Sequence, residues 1–206
     1  ASDETVLHNN VIGTYHVFAS AAEKKVPLVV YASSLSIYGY AWSAGTSPDY
    51  VPVDEKHPLR HFESYALSKE VNERSADMWA NRSETAFVGL RFPHTHTEEV
   101  FAEMAQKMRE GDEEILEQGA KIFWAYLDLR DAVQGILTVI EKGAQGSKTY
   151  NFAAPDTYAP RPTREMMAEF HPTSKIASTI SGYDSIIDCS QWLSEFGYEP
   201  QHLLER

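Results

Sequence analysis

A tyrosine and a lysine four residues apart, Tyr65 and Lys69, are the side chains of this sequence best suited to acid–base chemistry. On a helix, this spacing puts both on one face, with Cβ atoms roughly 5–6 Å apart. A phenol is a poor base at neutral pH, but a nearby ammonium favours the phenolate. The pair could therefore move a proton to or from a carbinol or carbonyl group.

A hydroxyl group is expected close to this pair. Ser34 follows the apolar run 27–32, which is typical of a parallel strand buried on both faces. Because ligands of open α/β sheets bind at the carboxyl ends of strands, Ser34 could hold a substrate oxygen against Tyr65. Each feature alone has a plainer interpretation, since Tyr-x-x-x-Lys is usually a solvated helix face and Ser-Ser after a strand is usually a turn or cap.

The surrounding pattern predicts helices and strands in alternation. Helices are predicted over about 5–24, 62–81, 98–110, 128–143 (capped by Asp128), from Thr163, and over 190–196, and strands over 27–32, 85–90, 121–126 and 149–153. The charge run 110–114 is predicted to be a solvated turn. This alternation indicates an α/β, Rossmann-like, doubly wound parallel sheet with a small irregular α+β part. Residues 1–92 would form the first unit and 93–206 a mixed substrate-binding segment.

Composition excludes several classes of protein. The 206 residues carry 18 Lys and Arg against 30 Asp and Glu, a net charge of −12 that argues against nucleic-acid binding. No apolar run reaches the roughly 18 residues that a membrane helix needs, and the first residues show no signal peptide. The lone cysteine, Cys189, cannot form an internal disulfide, so a reducing, cytoplasmic compartment is expected.

Taken in order, the motifs resemble the extended short-chain dehydrogenase/reductase superfamily, specifically its NAD-dependent epimerase/dehydratase family. The resemblance runs from about Glu4 to Tyr198. It rests on six segments: Asn9-Asn10-Val11-Ile12-Gly13-Thr14, Ser33-Ser34 to Tyr38-Gly39, Tyr65-Ala66-Leu67-Ser68-Lys69 with Glu73, Leu90-Arg91-Phe92, the run 126–133, and the run 150–155.

The resemblance implies hydride transfer between a nicotinamide cofactor, NAD or NADP, and a sugar or a small hydroxy or keto compound. Tyr65 would be the acid/base, Lys69 would assist it and bind the nicotinamide ribose, and Ser34 would orient the substrate oxygen. Asn10 would support the active-site end of its helix. The remaining implied contacts are Ala32, Ser33, Phe92 and Pro93 to the cofactor, and Ser36, His94 and His96 to the substrate.

The family also implies an assembly. The helices 5–24 and 62–81 would form a homodimer interface as a four-helix bundle. Their apolar stripes would serve equally well for packing onto the sheet, so the pattern leaves both interpretations open.

Two departures from the family bear on activity. None of the 11 glycines forms the pyrophosphate-binding G-x-x-G-x-x-G turn, as though the chain began after the family's fourth strand and lacked roughly 70–90 residues. The alternative is then a binding or assembly fragment without catalysis, with a free sheet edge. Pro93-His94 and the run 121–124 also lack the Asn and Arg typical of nucleotide-sugar epimerases, which argues against a UDP-sugar substrate.

A metal centre is a further alternative. His94 and His96 alternate along an extended segment, and with Glu98 or Glu99 they could bind zinc and activate water. Polar contacts to a substrate explain the same residues, so no metal is predicted. The aromatic residues Tyr40, Trp42 and Tyr50 could wall a substrate cavity or merely cover the core.

Overall fold

The computed structural model describes residues 1–40 and 47–205; Trp42 lies outside them. The helices are α1 (Asp3–Glu23), α2 (Ser64–Ala80), α3 (Glu98–Arg109), α4 (Glu113–Lys121), α5 (Leu129–Lys142), α6 (Thr163–Phe170) and α7 (Ser190–Phe196). The strands are β1 (Leu28–Ser34), β2 (Tyr50–Val51), β3 (Ala86–Phe92), β4 (His94–His96), β5 (Tyr126–Asp128), β6 (Ser147–Asn151) and β7 (Lys175–Ile176). A short 3-10 turn, Leu35–Tyr38, follows β1 directly.

The central sheet is parallel, with strand order β1-β3-β6. The crossover from β1 to β3 contains α2, and the crossover from β3 to β6 contains α5. Parallel two-stranded pairs, β4 with β5 and β2 with β7, lie outside the central sheet. The predicted α/β fold with parallel strands is confirmed.

Alternate residues of β1 and β3 pack against helices on opposite faces of the sheet. Val29, Tyr31 and Phe87 pack with Phe18 of α1 and with α2, whereas Val30, Val88 and neighbouring residues pack with α5 and α7. Successive side chains of a strand point to opposite faces, so β1 and β3 are covered on both sides. This doubly wound arrangement brings the carboxyl ends of all three strands to one edge.

One predicted strand is wrong. The segment 121–126 contains the end of α4 and a turn, and only Tyr126 is in a strand. Phe123 and Trp124 adopt φ values of 61° and 51°, a left-handed conformation that aromatic side chains rarely take. The apolar residues of the segment 121–126 resemble a strand in the sequence, because periodicity alone does not distinguish a buried strand from a buried turn.

Two smaller predictions near helix ends also need correction. The charge run 110–114 is a turn only as far as Asp112, whose carboxylate caps α4 by accepting from the Ile115 amide at 3.1 Å. Thr163 is the first residue of α6 and not its cap; its hydroxyl donates to the Asp184 carbonyl at 2.8 Å. The Asp128 cap of α5, its end at Gly143, and α7 at 190–196 are confirmed.

Helix α2 packs on α1 and on the sheet mainly through small and polar residues, joined near its end by Trp79, which packs on the cluster of Phe18 and Phe87. Its buried residues include Ala66, Ser68, Asn72 and Ala76, whereas Leu67 is exposed. Helix α5 likewise leaves an apolar stripe exposed, formed by Leu129, Val133, Leu137 and Ile140. No helix in the described ranges is both long and apolar enough to cross a bilayer.

Candidate active site

A cavity of about 720 Å³ opens at the carboxyl edge of the sheet, a size typical of small-ligand sites. It brings together six of the predicted site residues. These are Ser34, Ser36, Tyr65, Phe92, Pro93 and His94. Residues of both proposed units, 1–92 and 93–206, therefore share this one cavity.

Lys69 lies directly behind the tyrosine. Its Nζ is 5.2 Å from the centroid of the Tyr65 ring and donates to the Ala32 carbonyl at 2.8 Å. Burial lowers the pKa of the Lys69 ammonium, and the Glu73 carboxylate one turn further along α2 partly opposes that change. The ammonium is thus held between the end of β1 and the phenol.

The start of α2 is fixed by a carboxylate beside the cavity. Glu63 is the N-cap residue, and its two carboxylate oxygens accept from the Tyr65 amide at 2.5 Å and the Ala66 amide at 2.6 Å. An acidic side chain satisfies the free amides of a helix N-terminus. Tyr65 therefore sits in the first turn of α2, at the positive end of the helix dipole.

Ser34 is the last residue of β1 and caps the 3-10 turn that follows. Its Oγ accepts from the Ser36 amide at 3.1 Å and lies 3.1 Å from the Ser36 hydroxyl. This cap fixes the hydroxyl at the wall that also contains Tyr65. Of the Ser-Ser pair, Ser34 therefore acts as a cap, as the plainer interpretation says, and also lines the cavity.

The far wall comes from α4 and the left-handed turn, which the sequence did not indicate. Gln118, Lys121, Ile122 and Phe123 line the cavity there, with Leu35, Tyr40 and Glu63 elsewhere. The turn is held by the Trp124 amide, which donates to the Gly119 carbonyl at 2.8 Å. The Asp112 cap signal and the apolar spacing of Ile115, Leu116 and Ala120 could have revealed α4.

Five other predicted site residues lie outside the lining that the described residues form: Asn10, Ala32, Ser33, Lys69 and His96. Asn10 joins α1 to α2 by donating to the Ser68 hydroxyl at 3.0 Å. Ala32 is exposed at the open end of β1. His96 packs edge-on against the His94 ring at 4.9 Å.

The histidine segment is not joined by a third metal ligand among the described residues. Within residues 1–40 and 47–205, no group of three or more His, Cys, Asp or Glu side chains is placed to hold an ion. Burial, with a smaller contribution from His96, lowers the pKa of His94, so its ring is neutral at pH 7. Of the three aromatic residues in doubt, Tyr40 lines the cavity and is also buried, while Tyr50 lies outside the lining.

The fold and site together define a class. A parallel doubly wound sheet with serine, tyrosine and lysine at its carboxyl edge is a Rossmann-like arrangement of the short-chain dehydrogenase/reductase type. The model of the NAD dependent epimerase/dehydratase family matches residues 1–153, and the chain belongs to that family.

Similar proteins agree with this assignment. A Methanocaldococcus jannaschii protein described as "Putative UDP-glucose 4-epimerase" is 30% identical over 90 residues, which cover 43% of this chain and 27% of that protein. The chain thus matches only about a quarter of that relative's length.

Solved structures share the fold. A UDP-galactose 4-epimerase superposes with a TM-score of 0.64 at 18% identity, covering 98% of this chain and 67% of that one. MoeE5 in complex with UDP-glucose and NAD gives 0.62 at 20% identity, with 95% and 67% covered. RMD from Pseudomonas aeruginosa complexed with NADPH gives 0.62 at 17% identity, with 96% and 70% covered.

Proposed function

We propose that this chain carries the catalytic side chains of a nicotinamide-dependent oxidoreductase of the epimerase/dehydratase type, acting on a sugar or a small hydroxy or keto compound. The observation that carries the proposal is that Ser34 and Tyr65 line one cavity while the Lys69 Nζ lies over the Tyr65 ring, 5.2 Å from its centroid. Two separate elements supply the three side chains, since Ser34 ends β1 whereas Tyr65 and Lys69 lie one turn apart on α2.

The proposed chemistry is a proton transfer at the substrate oxygen. Ser34 would hold a substrate hydroxyl by a hydrogen bond, and Tyr65 would take the proton as the C–H hydrogen leaves as hydride. A bound nicotinamide would accept that hydride. Lys69 would favour the phenolate through its positive charge, and the apolar walls at Phe92 and Phe123 would exclude water. In the reverse reaction, in which a carbonyl is reduced, the same residues would return the proton to the substrate oxygen.

The residues fit the nicotinamide end of such a cofactor. Ala32 is exposed near the end of β1 and its carbonyl accepts from the Lys69 amine, which would bind the ribose, while Ser33, Phe92 and Pro93 would complete that side. The 206 residues contain no G-x-x-G-x-x-G turn for the pyrophosphate. The neighbours with NAD and NADPH support a nicotinamide cofactor and leave the choice between the two open.

The absence of that turn favours one alternative, a binding or assembly protein without catalysis. Calorimetric titration of the chain with NAD and with NADP separates the two functions. Micromolar affinity for either supports the oxidoreductase. No heat at millimolar cofactor favours the alternative.

The decisive test of catalysis is Tyr65→Phe, which removes only the hydroxyl. We expect turnover of a sugar substrate to fall by about 100-fold or more, with cofactor affinity retained. Tyr50→Phe is the matched control, since Tyr50 lies outside the cavity and bonds Asp54 at 2.7 Å. Full activity in Tyr65→Phe contradicts the assignment.

We also propose a homodimer through α1 and α2. Tyr15 of α1 and Val71 and Met78 of α2 line a shallow outward hollow, and Ile12 and Leu67 are exposed nearby. Val71 and Met78 of the apolar stripe of α2 thus line a surface hollow, whereas Trp79 packs on the core. Val71→Glu should halve the mass in analytical ultracentrifugation, whereas Val133→Glu, on the exposed stripe of α5, should not. An unchanged mass in Val71→Glu contradicts this interface.

A cytoplasmic location is proposed on the cysteine alone. Cys189 is unpaired, and burial raises the pKa of its thiol to about 12, which keeps it protonated and inert.

The His94 and His96 side chains are proposed as substrate contacts, His94 from the cavity wall and His96 from beside it.

A further inference from the structure

A buried ion pair lies beneath the cavity. Arg91 of β3 and Glu73 of α2 form a two-pronged contact, Nε to Oε1 at 2.9 Å and Nη2 to Oε2 at 2.7 Å. Both residues are nearly inaccessible, at 5% and 8% exposure. This parallel geometry fixes the relative orientation of the two groups more strictly than a single contact would.

The pair extends into a row across the sheet. The Ser33 hydroxyl donates to Glu73 at 2.5 Å, and Arg91 donates to the Tyr38 hydroxyl at 2.8 Å, which donates in turn to Asn151 at 2.8 Å. Ser33, Arg91 and Asn151 are direct register partners on β1, β3 and β6. One residue from each of the three strands is thereby linked to Glu73 of α2 through a continuous chain of hydrogen bonds.

One end of this row, formed by Ser33 and Glu73, lies beside the proposed catalytic lysine. Glu73 lies one helical turn beyond Lys69, on the same side of α2. Ser33 lies between Ala32, whose carbonyl accepts from Lys69, and Ser34, which lines the cavity. The row therefore connects the helix that carries the amine to the strand that receives it.

Stability alone does not explain such a pair. Desolvating two charges offsets most of their attraction, so a buried ion pair stabilises a fold little compared with apolar residues of similar size. What it does supply is a defined geometry and a fixed negative charge close to the lysine. On the proposed acid–base function of Tyr65 and Lys69, both properties matter.

We propose that Glu73, held by Arg91 and Ser33, is a positioning residue that keeps the Lys69 amine charged and against the end of β1. Burial pulls the pKa of Lys69 down and the Glu73 carboxylate pulls it up, which agrees with this role. Titratable or charged groups of the other elements packed near this point are Tyr31 on β1, Tyr38 in the 3-10 turn and Arg91 on β3, whereas α1 presents the uncharged Asn10 and Thr14.

The test is an NMR titration of Lys69 in the intact chain, followed at the ε-methylene and assigned by loss of the signal in Lys69→Arg. In Glu73→Gln we expect the pKa of Lys69 to fall by about 1, because one nearby charge is removed. Glu70→Gln is the matched control. Glu70 neighbours Lys69 on the same helix but pairs with His61 and Arg74 nearer the surface.

In Glu73→Gln the buried Arg91 loses its partner, and this unpaired charge could unfold the protein. A second variant therefore removes both charges. Glu73→Gln/Arg91→Met leaves no unpaired ion, and the pKa of Lys69 should fall by less, since a cation is lost as well. A merely structural pair would change the melting temperature and leave the Lys69 titration as in the wild type. An unchanged Lys69 titration in either variant, provided that the variant is folded, overturns the proposal. Cofactor titration and Tyr65→Phe test the underlying function separately, because the NMR readout requires no turnover.

Discussion

Gly39 ends the 3-10 turn below the cavity and should tolerate no side chain. Its φ is 84°, a left-handed value, and a Cβ there would fall on the backbone carbonyl oxygen of Arg60 and lie 2.5 Å from the carbonyl carbon. Rotating a side chain cannot relieve contact with a backbone group. The Arg60 segment is itself held by an ion pair to Asp49 at 2.8 Å.

The size of the effect follows from two contributions. An alanine in the left-handed region costs about 1–2 kcal/mol, and overpacking adds about 1–3 kcal/mol. Gly111 separates them, since its φ is 92° and a Cβ there would meet nothing within 4 Å. We therefore expect losses of about 1–2 kcal/mol in Gly111→Ala and about 2–5 kcal/mol in Gly39→Ala.

Urea denaturation measures both losses as the free energy of unfolding extrapolated to water, provided that the m-values of the two variants agree. Equal losses in the two variants would refute the reasoning. They would mean that the Arg60 backbone moves aside freely.

Three further predictions concern packing and pH. Gly135→Ala places a methyl on the Phe152 ring and should cost about 1–3 kcal/mol, partly recovered by Phe152→Leu in a double-mutant cycle. Asp131→Asn should speed amide hydrogen exchange at Gln201 and His202, because the carboxylate accepts from both amides at 2.9 Å; a merely uniform increase across the chain would contradict this. Burial lowers the pKa of three histidines, so the unfolded chain protonates first as the pH falls and the melting temperature should drop below about pH 6.5; an unchanged melting temperature between pH 7 and pH 5 would count against it. These histidines are His57, His94 and His171.

The elements that local chemistry determines could be predicted from the sequence. Asp128 and Gly143 delimit α5 because a carboxylate caps one end and a glycine with φ of 71° ends the other. The Ser34, Tyr65 and Lys69 cluster was also predictable, since helical spacing and the end of a parallel strand place all three near one edge.

Features that depend on distant partners could not be predicted. The left-handed Phe123 and Trp124 reach their conformation through contacts with Gly119 and Tyr158, and their apolar types resemble a strand. The pairing of Glu73 with Arg91 joins residues 18 positions apart on different elements, and no local spacing specifies it. The outward stripe of α2 was ambiguous for the same reason, because periodicity identifies a face without saying what covers it.

The free side of β1 has a consequence for how the protein behaves in solution. Within the described part of the chain this strand has a ladder partner only in β3. An open strand edge is a template for another backbone. The net charge of −12 keeps copies apart at low ionic strength, where electrostatic repulsion reaches farthest. Added salt removes that barrier, so concentrated samples should cloud as sodium chloride rises, against the usual salting-in of acidic proteins.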